Sequence, residues 1–367
     1  MNVMTALVGG AEPTSFDQTD LDALRDSIAS VLSEQCGSLA IHAFLDGKSD
    51  LDRRLWQQAA ELGWFGIALP EQYCGLGMGA LALSVLHSEL GRFTAPGSFI
   101  ATLSAAQALV ETASEEIKNI WLPRFAAGEI SAAVPVSIGE GATSGRIALL
   151  GSEDANVALV PVAEGGWALI DLVDAKVEKA AFWDLTRGVI EIDVKGLPSL
   201  ATLPAATATA LENAMALAVA ADSIGGARAI AEQTVDYLKN RQQFGRAIAS
   251  FQAIKHRAAD LIALVTTNDH VVAQAAEMAI RGDVDAGLWA ALAKAEAADA
   301  FVFIAADCVQ LHGGVGFTWE YDCHIFLKRA RFNEMLIAPN PQMRDRASAG
   351  LAASVRAGRT TLELPTS

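Results

Sequence analysis

One strand-like island lies between two long helix-like stretches, and that order most narrowly limits the folds open to this chain. Upstream, Leu21, Leu24, Ile28 and Leu32 recur at helical spacing, as do Leu51, Leu55, Ala59 and Leu62 before Gly63. A helix-start signal at Ser114-Glu-Glu leads into Ile117, Ile120, Trp121 and Phe125. In the island, Val157-Ala-Leu-Val-Pro-Val162, a Glu-Gly-Gly turn and Trp167-Ala-Leu-Ile170 read as a hairpin, and Ile190, Ile192 and Val194 alternate onto one face. Downstream, residues 211–240 read as one helix, ~45 Å long at 1.5 Å per residue. Residues 251–281, 285–311 and 342–356 add three more. The pattern predicts a mostly α chain with a small β domain. Its parts are an N-terminal helical domain (16–130), a small middle β domain (131–200) and a C-terminal four-helix bundle (205–358). The first 15 residues read as a flexible lead.

Composition narrows the function. Of 367 residues, 52% are hydrophobic and 19% charged, enough for a true core and too little charge for disorder. A net charge of −16 argues against a nucleic-acid or acidic-membrane binder, which needs a basic surface. Cys36, Cys74, Cys308 and Cys323 have no paired spacing, and the six histidines make no ligand constellation with them. Neither a disulfide scaffold nor a metal site is expected, and a reducing, cytoplasmic setting is. The start of the chain has no basic, apolar leader pattern, and the weakly charged run 202–221 contains Glu212, so it reads as a buried helix and not as a membrane span. Trp183 and Trp319 read as core residues.

Two segments run against the acidic balance. Residues 228–257 hold six bases and two acids, and residues 324–346 hold five bases and two acids. They suit either solvated helix faces with salt bridges or a pocket for a diphosphate. The surrounding text is more specific: Arg241-Gln-Gln-Phe-Gly245, Ile248, Phe251-Gln252 and Ala259-Asp260, then Gln310-Leu-His-Gly-Gly-Val-Gly-Phe317 and Glu320-Tyr. Together these resemble the acyl-CoA dehydrogenase family over residues 20–357, with a further similarity at Pro70–Gly77 and the least in the middle. The resemblance implies an FAD enzyme that converts an acyl-CoA to a trans-2-enoyl-CoA and passes electrons to an acceptor. Its bundles pair, so that one subunit completes its neighbour's cofactor site. Carried over, Arg241 meets the FAD pyrophosphate in trans, Phe244, Gly245 and Gln252 lie near the adenosine half, and Gln310, Gly313 and Gly314 lie along the adenine and ribose.

The same resemblance shows where the chain departs. The family's base, a glutamate, falls here at Ile337, with Glu334 three residues earlier, and a second subgroup's position falls at Met215. A third placement, in bacterial members that include steroid side-chain enzymes, reads Ala-Ala-Glu, and here it reads Ala220-Ala-Asp222. Asp222 has only small neighbours at helical spacing (Ala218, Val219, Gly225, Gly226), none able to pair with it. The expectation is a partly desolvated carboxylate with a raised pKa, acting as the base, or else a solvent-facing or helix-packing polar group. In the middle, Ala133–Gly141 and Gly145–Gly151 stand where the family has ring-cradling T-E-P-x-x-G-S-D and W-I-T-N-G strands, without the Trp–Thr pair. The half-site offered to a neighbour is complete, while the chain's own half is weak. Similar degenerate subunits occur in α2β2 acyl-CoA dehydrogenases. The readings are therefore a catalytic subunit with a sister chain or in a homo-oligomer, a non-catalytic structural subunit, or a flavin monooxygenase of the same fold.

Overall fold

Six helices open the chain in a computed structural model that describes residues 18–138, 145–162 and 165–359. They are α1 (Gln18–Gln35), α2 (Ser38–Leu45), α3 (Leu51–Glu61), α4 (Gly79–Arg92), α5 (Phe99–Thr112) and α6 (Glu115–Ala126). The expected lead, Gly139–Gly141 and the turn residue Glu164 lie outside the described residues. α3 buries Leu51, Leu55 and Ala59 on one stripe, as their spacing dictates. Ser114 caps α6 by accepting from the Ile117 N–H at 3.4 Å, with Glu115 and Glu116 at the helix's positive end.

The island folds into one seven-stranded sheet of β1 (Ala132–Pro135), β2 (Arg146–Leu150), β3 (Val157–Pro161), β4 (Trp167–Asp171), β5 (Glu178–Lys179), β6 (Val189–Asp193) and β7 (Ser199–Leu203). The order is β5-β6-β2-β1-β3-β4-β7, antiparallel except for the β1–β3 pair. β3 and β4 form the expected hairpin, with Leu159 opposite Leu169. One face buries Leu149, Val160, Ile170 and Ile192 together; the other sends Leu150, Leu159 and Leu169 into a core shared with α5 and α7 (Thr207–Asn240).

After α7 come a short ribbon, β8 (Gln242–Gln243) and β9 (Arg246–Ala247), then α8 (Gln252–Ile280), α9 (Ala286–His312), α10 (Cys323–Met335) and α11 (Asn340–Arg356). Among the described residues the C-terminal part thus has five helices where the periodicity implies four. α10 was hidden because its apolar residues are interleaved with Lys328, Arg329 and Arg331. α7 is long and apolar enough to cross a membrane, yet nearly all of its most apolar stretch is buried inside the protein. It packs against α4 backbone to backbone: a Cβ on Gly225 would stand 1.8 Å from the Ser88 carbonyl oxygen, and one on Gly91 would stand 2.1 Å from that of Asp222. Trp183 and Trp319, expected in the core, are both about half exposed.

Candidate functional site

α7 ends at Asn240, and the chain turns back at once through the β8–β9 ribbon. Phe244 (φ 54°) and Gly245 (φ 78°) are both left-handed, the backbone of a two-residue hairpin whose twist suits its strands. Phe244 is 90% exposed at the tip. Arg241 is exposed and forms no ion pair among the described residues. Gln252, the first residue of α8, is exposed as well. Nearby, the Arg246 guanidinium lies 3.9 Å above the Phe251 ring.

α9 ends at the same end of the bundle. His312 stacks on Tyr237 of α7, with centroids 4.2 Å apart, and the Tyr237 hydroxyl donates to the His312 carbonyl at 3.4 Å. Gly313 then adopts φ 66°, ψ −144°, a conformation left essentially to glycine, and opens a 3-10 turn over Gly313–Phe317. Gln310, Gly313 and Gly314 are exposed, and a Cβ on Gly313 or Gly314 would meet nothing within 4 Å. The structure therefore places Arg241, Phe244, Gly245 and Gln252 along the link from α7 to α8, and Gln310, Gly313 and Gly314 at the end of α9, which the Tyr237–His312 stack fastens to α7. An exposed cation, bare backbone and an open approach fit a diphosphate-containing cofactor such as FAD.

At the family's base position the backbone is closed by hydrogen bonds. Ile337, fully buried at the family's base position, takes φ 72° despite its branched Cβ. Its N–H donates to the Val136 carbonyl at 2.8 Å, and its carbonyl accepts from the Ile138 N–H at 2.9 Å and the Ser137 hydroxyl at 3.2 Å. The base position and the continuation of β1 are thus hydrogen-bonded to each other, with no gap between them. Lys294 holds this turn from below, donating to the carbonyls of Glu334 (2.9 Å) and Ala338 (2.8 Å) and to Asn340 Oδ1 (2.7 Å). Burial pushes its pKa down to about 7, against the pull of Asp299 and Glu334. Glu334 itself pairs with Arg331 at 3.0 Å. Met215, the other base position, is buried within the core.

Asp222 is not the unpaired carboxylate expected from its helix neighbours. It is 1% exposed and lies between two arginines. Arg329 gives it Nη2–Oδ2 at 2.7 Å and Nε–Oδ1 at 3.2 Å, Arg187 gives Nη2–Oδ1 at 2.7 Å, and Asn333 donates at 2.9 Å. The Arg187 contact is a close ion pair without hydrogen-bond alignment, since that nitrogen otherwise lacks a partner. Burial pushes the Asp222 pKa up, but the two guanidiniums outweigh it and hold the carboxyl below the usual carboxylate range. The expected rise is therefore overturned: a carboxylate so stabilised has little drive to take a proton. The small neighbours are real, but the room beside them is filled by side chains distant in sequence. Arg187 arrives from the loop between β5 and β6, where the Asp184 carboxylate accepts from the Thr186 N–H at 3.0 Å and its hydroxyl at 2.6 Å. In the same loop, Phe182 packs on Phe332 of α10, with centroids 4.4 Å apart.

A cleft of about 470 Å³ separates α2 and α3 from the sheet. Asp50, Asp52, Glu153, Asp154 and Asp184 outnumber Arg53, Lys179 and Arg187 on its walls, the wrong balance for a diphosphate.

Residues 18–129 match the family model described as the acyl-CoA dehydrogenase N-terminal domain, and residues 206–346 match the C-terminal domain. The chain is 30% identical over 317 residues to the acyl-CoA dehydrogenase IpdE2 of Mycobacterium tuberculosis, covering 86% of this chain and 92% of that one. Among solved structures it resembles a variant of the Tcur3481-Tcur3483 steroid acyl-CoA dehydrogenase, with TM-score 0.83, 25% identity, and coverage of 92% of this chain and 99% of that one. It shares its fold with the ChsE4-ChsE5 complex of Mycobacterium tuberculosis, with TM-score 0.80, 23% identity, and coverage of 97% and 100%. With a mostly helical fold around a mixed sheet, the motifs above and relatives matched nearly end to end, this chain belongs to the acyl-CoA dehydrogenase family, oxidoreductases that act on acyl-CoA thioesters.

Proposed function

We propose that this chain is a subunit of an FAD-dependent acyl-CoA dehydrogenase that introduces the α,β double bond of a trans-2-enoyl-CoA, and that its share of the site is the half that completes a sister subunit's FAD. The observation that carries this reading is the asymmetry between the two halves. Arg241, Phe244, Gln252, Gln310 and Gly313 stand open to a neighbour, while the base position at Ile337 is bonded directly to the continuation of β1. FAD supplies the hydride acceptor when bound. Arg241 supplies a fixed cation for its diphosphate, and the glycine backbone admits close approach. The α-proton is taken by a base on the sister subunit, because Met215 and Ile337 cannot accept one and Asp222 is held by Arg187 and Arg329. That two of the similar structures are named as two-chain assemblies, one of them a steroid enzyme, supports a heteromer acting on a bulky acyl-CoA.

The test is to purify the chain alone and together with candidate sister subunits, and to record the flavin spectrum. Alone it is expected to carry little flavin; the pair is expected to be yellow and to bleach on addition of acyl-CoA. Stoichiometric FAD on the isolated chain would overturn the reading.

A further inference from the structure

The stretch that carries Gly313 and Gly314 has almost no core of its own. Within Gly313–Phe317 only Gly316 is buried, and Phe317 and Trp319 are largely exposed. What fixes it must therefore act at its two ends. One end is the Tyr237–His312 stack, which Tyr321 joins edge-on with its centroid 5.2 Å from that of Tyr237. The other end is Asp322. This residue occupies the N-cap of α10 but gives that helix no side-chain cap. Its Oδ1 instead accepts from the Ser38 hydroxyl at 2.8 Å and contacts His42 Nε2 at 2.7 Å, both on α2. Around this contact, Trp319 meets His42 and His324 edge-on, with centroids 5.2 and 4.6 Å apart, and the Lys328 ammonium lies 5.8 Å from the Trp319 ring. A cap left unmade at one helix in favour of bonds to another, some 280 residues away, marks a tether between distant parts of the chain.

We propose that Asp322, with Ser38 and His42, is a positioning residue for the Gly313–Gly314 backbone, so that the N-terminal helices of this chain set how tightly the sister subunit's FAD is held. The proposal rests on the reading that Gly313 and Gly314 face that FAD. The tether acts at a distance from the cofactor, through the 3-10 turn and the Thr318–Tyr321 connection, where the Thr318 hydroxyl donates to the Val315 carbonyl at 2.7 Å.

Two measurements test it. Hydrogen exchange on the isolated chain reads the tether without any flavin. Asp322→Ala and His42→Ala are expected to raise exchange in residues 313–321 by about 10-fold, the scale of one lost charge-assisted bond, with α7 and α9 unchanged and His42→Gln restoring protection. In the assembled enzyme the same alanine variants are expected to raise the FAD dissociation constant by a similar factor, with turnover recovering as FAD is added. Unchanged exchange in a folded variant overturns the tether. Faster exchange with unchanged FAD affinity overturns its link to the cofactor. Should Asp322→Ala fail to fold, the exposed Ser38→Ala removes one bond and answers the same question. Arg241→Ala and Gln310→Ala serve as the separate check on the underlying reading: if neither alters FAD affinity, the shared site is refuted whatever the exchange data show, and with it the cofactor half of the proposal.

Discussion

Arg329 grips Asp222 side-on, two nitrogens to two oxygens at 3.2 and 2.7 Å, and its remaining nitrogen reaches the Ala95 carbonyl at 3.1 Å and the Thr186 hydroxyl at 3.3 Å. One guanidinium thus joins α10, α7, the loop before α5 and the loop between β5 and β6. Asp222→Asn leaves Arg187 and Arg329 buried with one carboxylate fewer, and should cost about 3–5 kcal/mol, seen as a lower urea midpoint at pH 7. The carboxyl titrates lower in the folded chain than in the unfolded one, so its contribution is fully present above the ordinary Asp range and is lost as pH falls through the lower folded value. The gap between the parent and Asp222→Asn should therefore hold from pH 7 to about 5, begin to shrink near the ordinary Asp value of about 4, and close only below the lower folded value. In the assembled enzyme, kept below the variant's melting temperature, turnover should persist. A folded Asp222→Asn assembly that loses about 10²-fold in rate would return the base to this residue.

Arg241 is exposed, so removing it disturbs no core. Arg241→Ala is expected to leave the melting temperature of the isolated chain unchanged and to weaken FAD binding in the assembly by roughly 10- to 150-fold, the range for a charge-assisted contact to phosphate. Titration of the deflavinated assembly gives the value, and equal affinities would make Arg241 a surface charge only.

Restoring a carboxylate at the family's base position should not restore a base. Ile337→Glu buries an acid where Val136, Ser137 and Ile138 already bond to the backbone. It should cost about 3 kcal/mol or more in stability and give the isolated chain no acyl-CoA-dependent flavin bleaching. Thermal melts and an anaerobic acyl-CoA titration decide it, and a stable, active variant would mean that the turn after α10 opens readily.

Gly225→Ala should be among the most disruptive single changes. The added Cβ would lie 1.8 Å from a main-chain oxygen of α4, which cannot swing aside as a side chain could. The helices must separate along their seam, at a cost of at least ~3 kcal/mol. A melting temperature within a degree or two of the parent would show that α4 and α7 are not locked together here.

The sequence made legible whatever depends on near neighbours. The stripe Leu51, Leu55, Ala59 and the Leu159–Leu169 hairpin are local patterns, and each lies in the helix or strand pair that its spacing implies; the Arg241–Gln252 and Gln310–Gly314 motifs are local too, and carried the family resemblance. The surroundings of Asp222 are not local: Arg329 is 107 positions away, so no window along α7 contains the charge that fixes its state. The same holds for Lys294, which reads as an ordinary base within an alanine-rich helix and turns out to hold the bend after α10. α10 itself was obscured because its buried face includes Arg329 and Asn333, which a hydrophobic count scores as outward-facing.

The exposed tip at Phe244 has a consequence for the chain while it is still alone. Phe244, Phe317 and Trp319 make contact-range adhesives on a molecule whose net charge of −16 repels its own copies. That repulsion reaches only about one Debye length, ~8 Å at physiological salt, and fades as salt rises. The isolated chain is therefore expected to self-associate more readily as salt rises, which light scattering against salt concentration reads. If the chain pairs with a sister subunit as proposed, covering these rings is expected to remove that salt sensitivity.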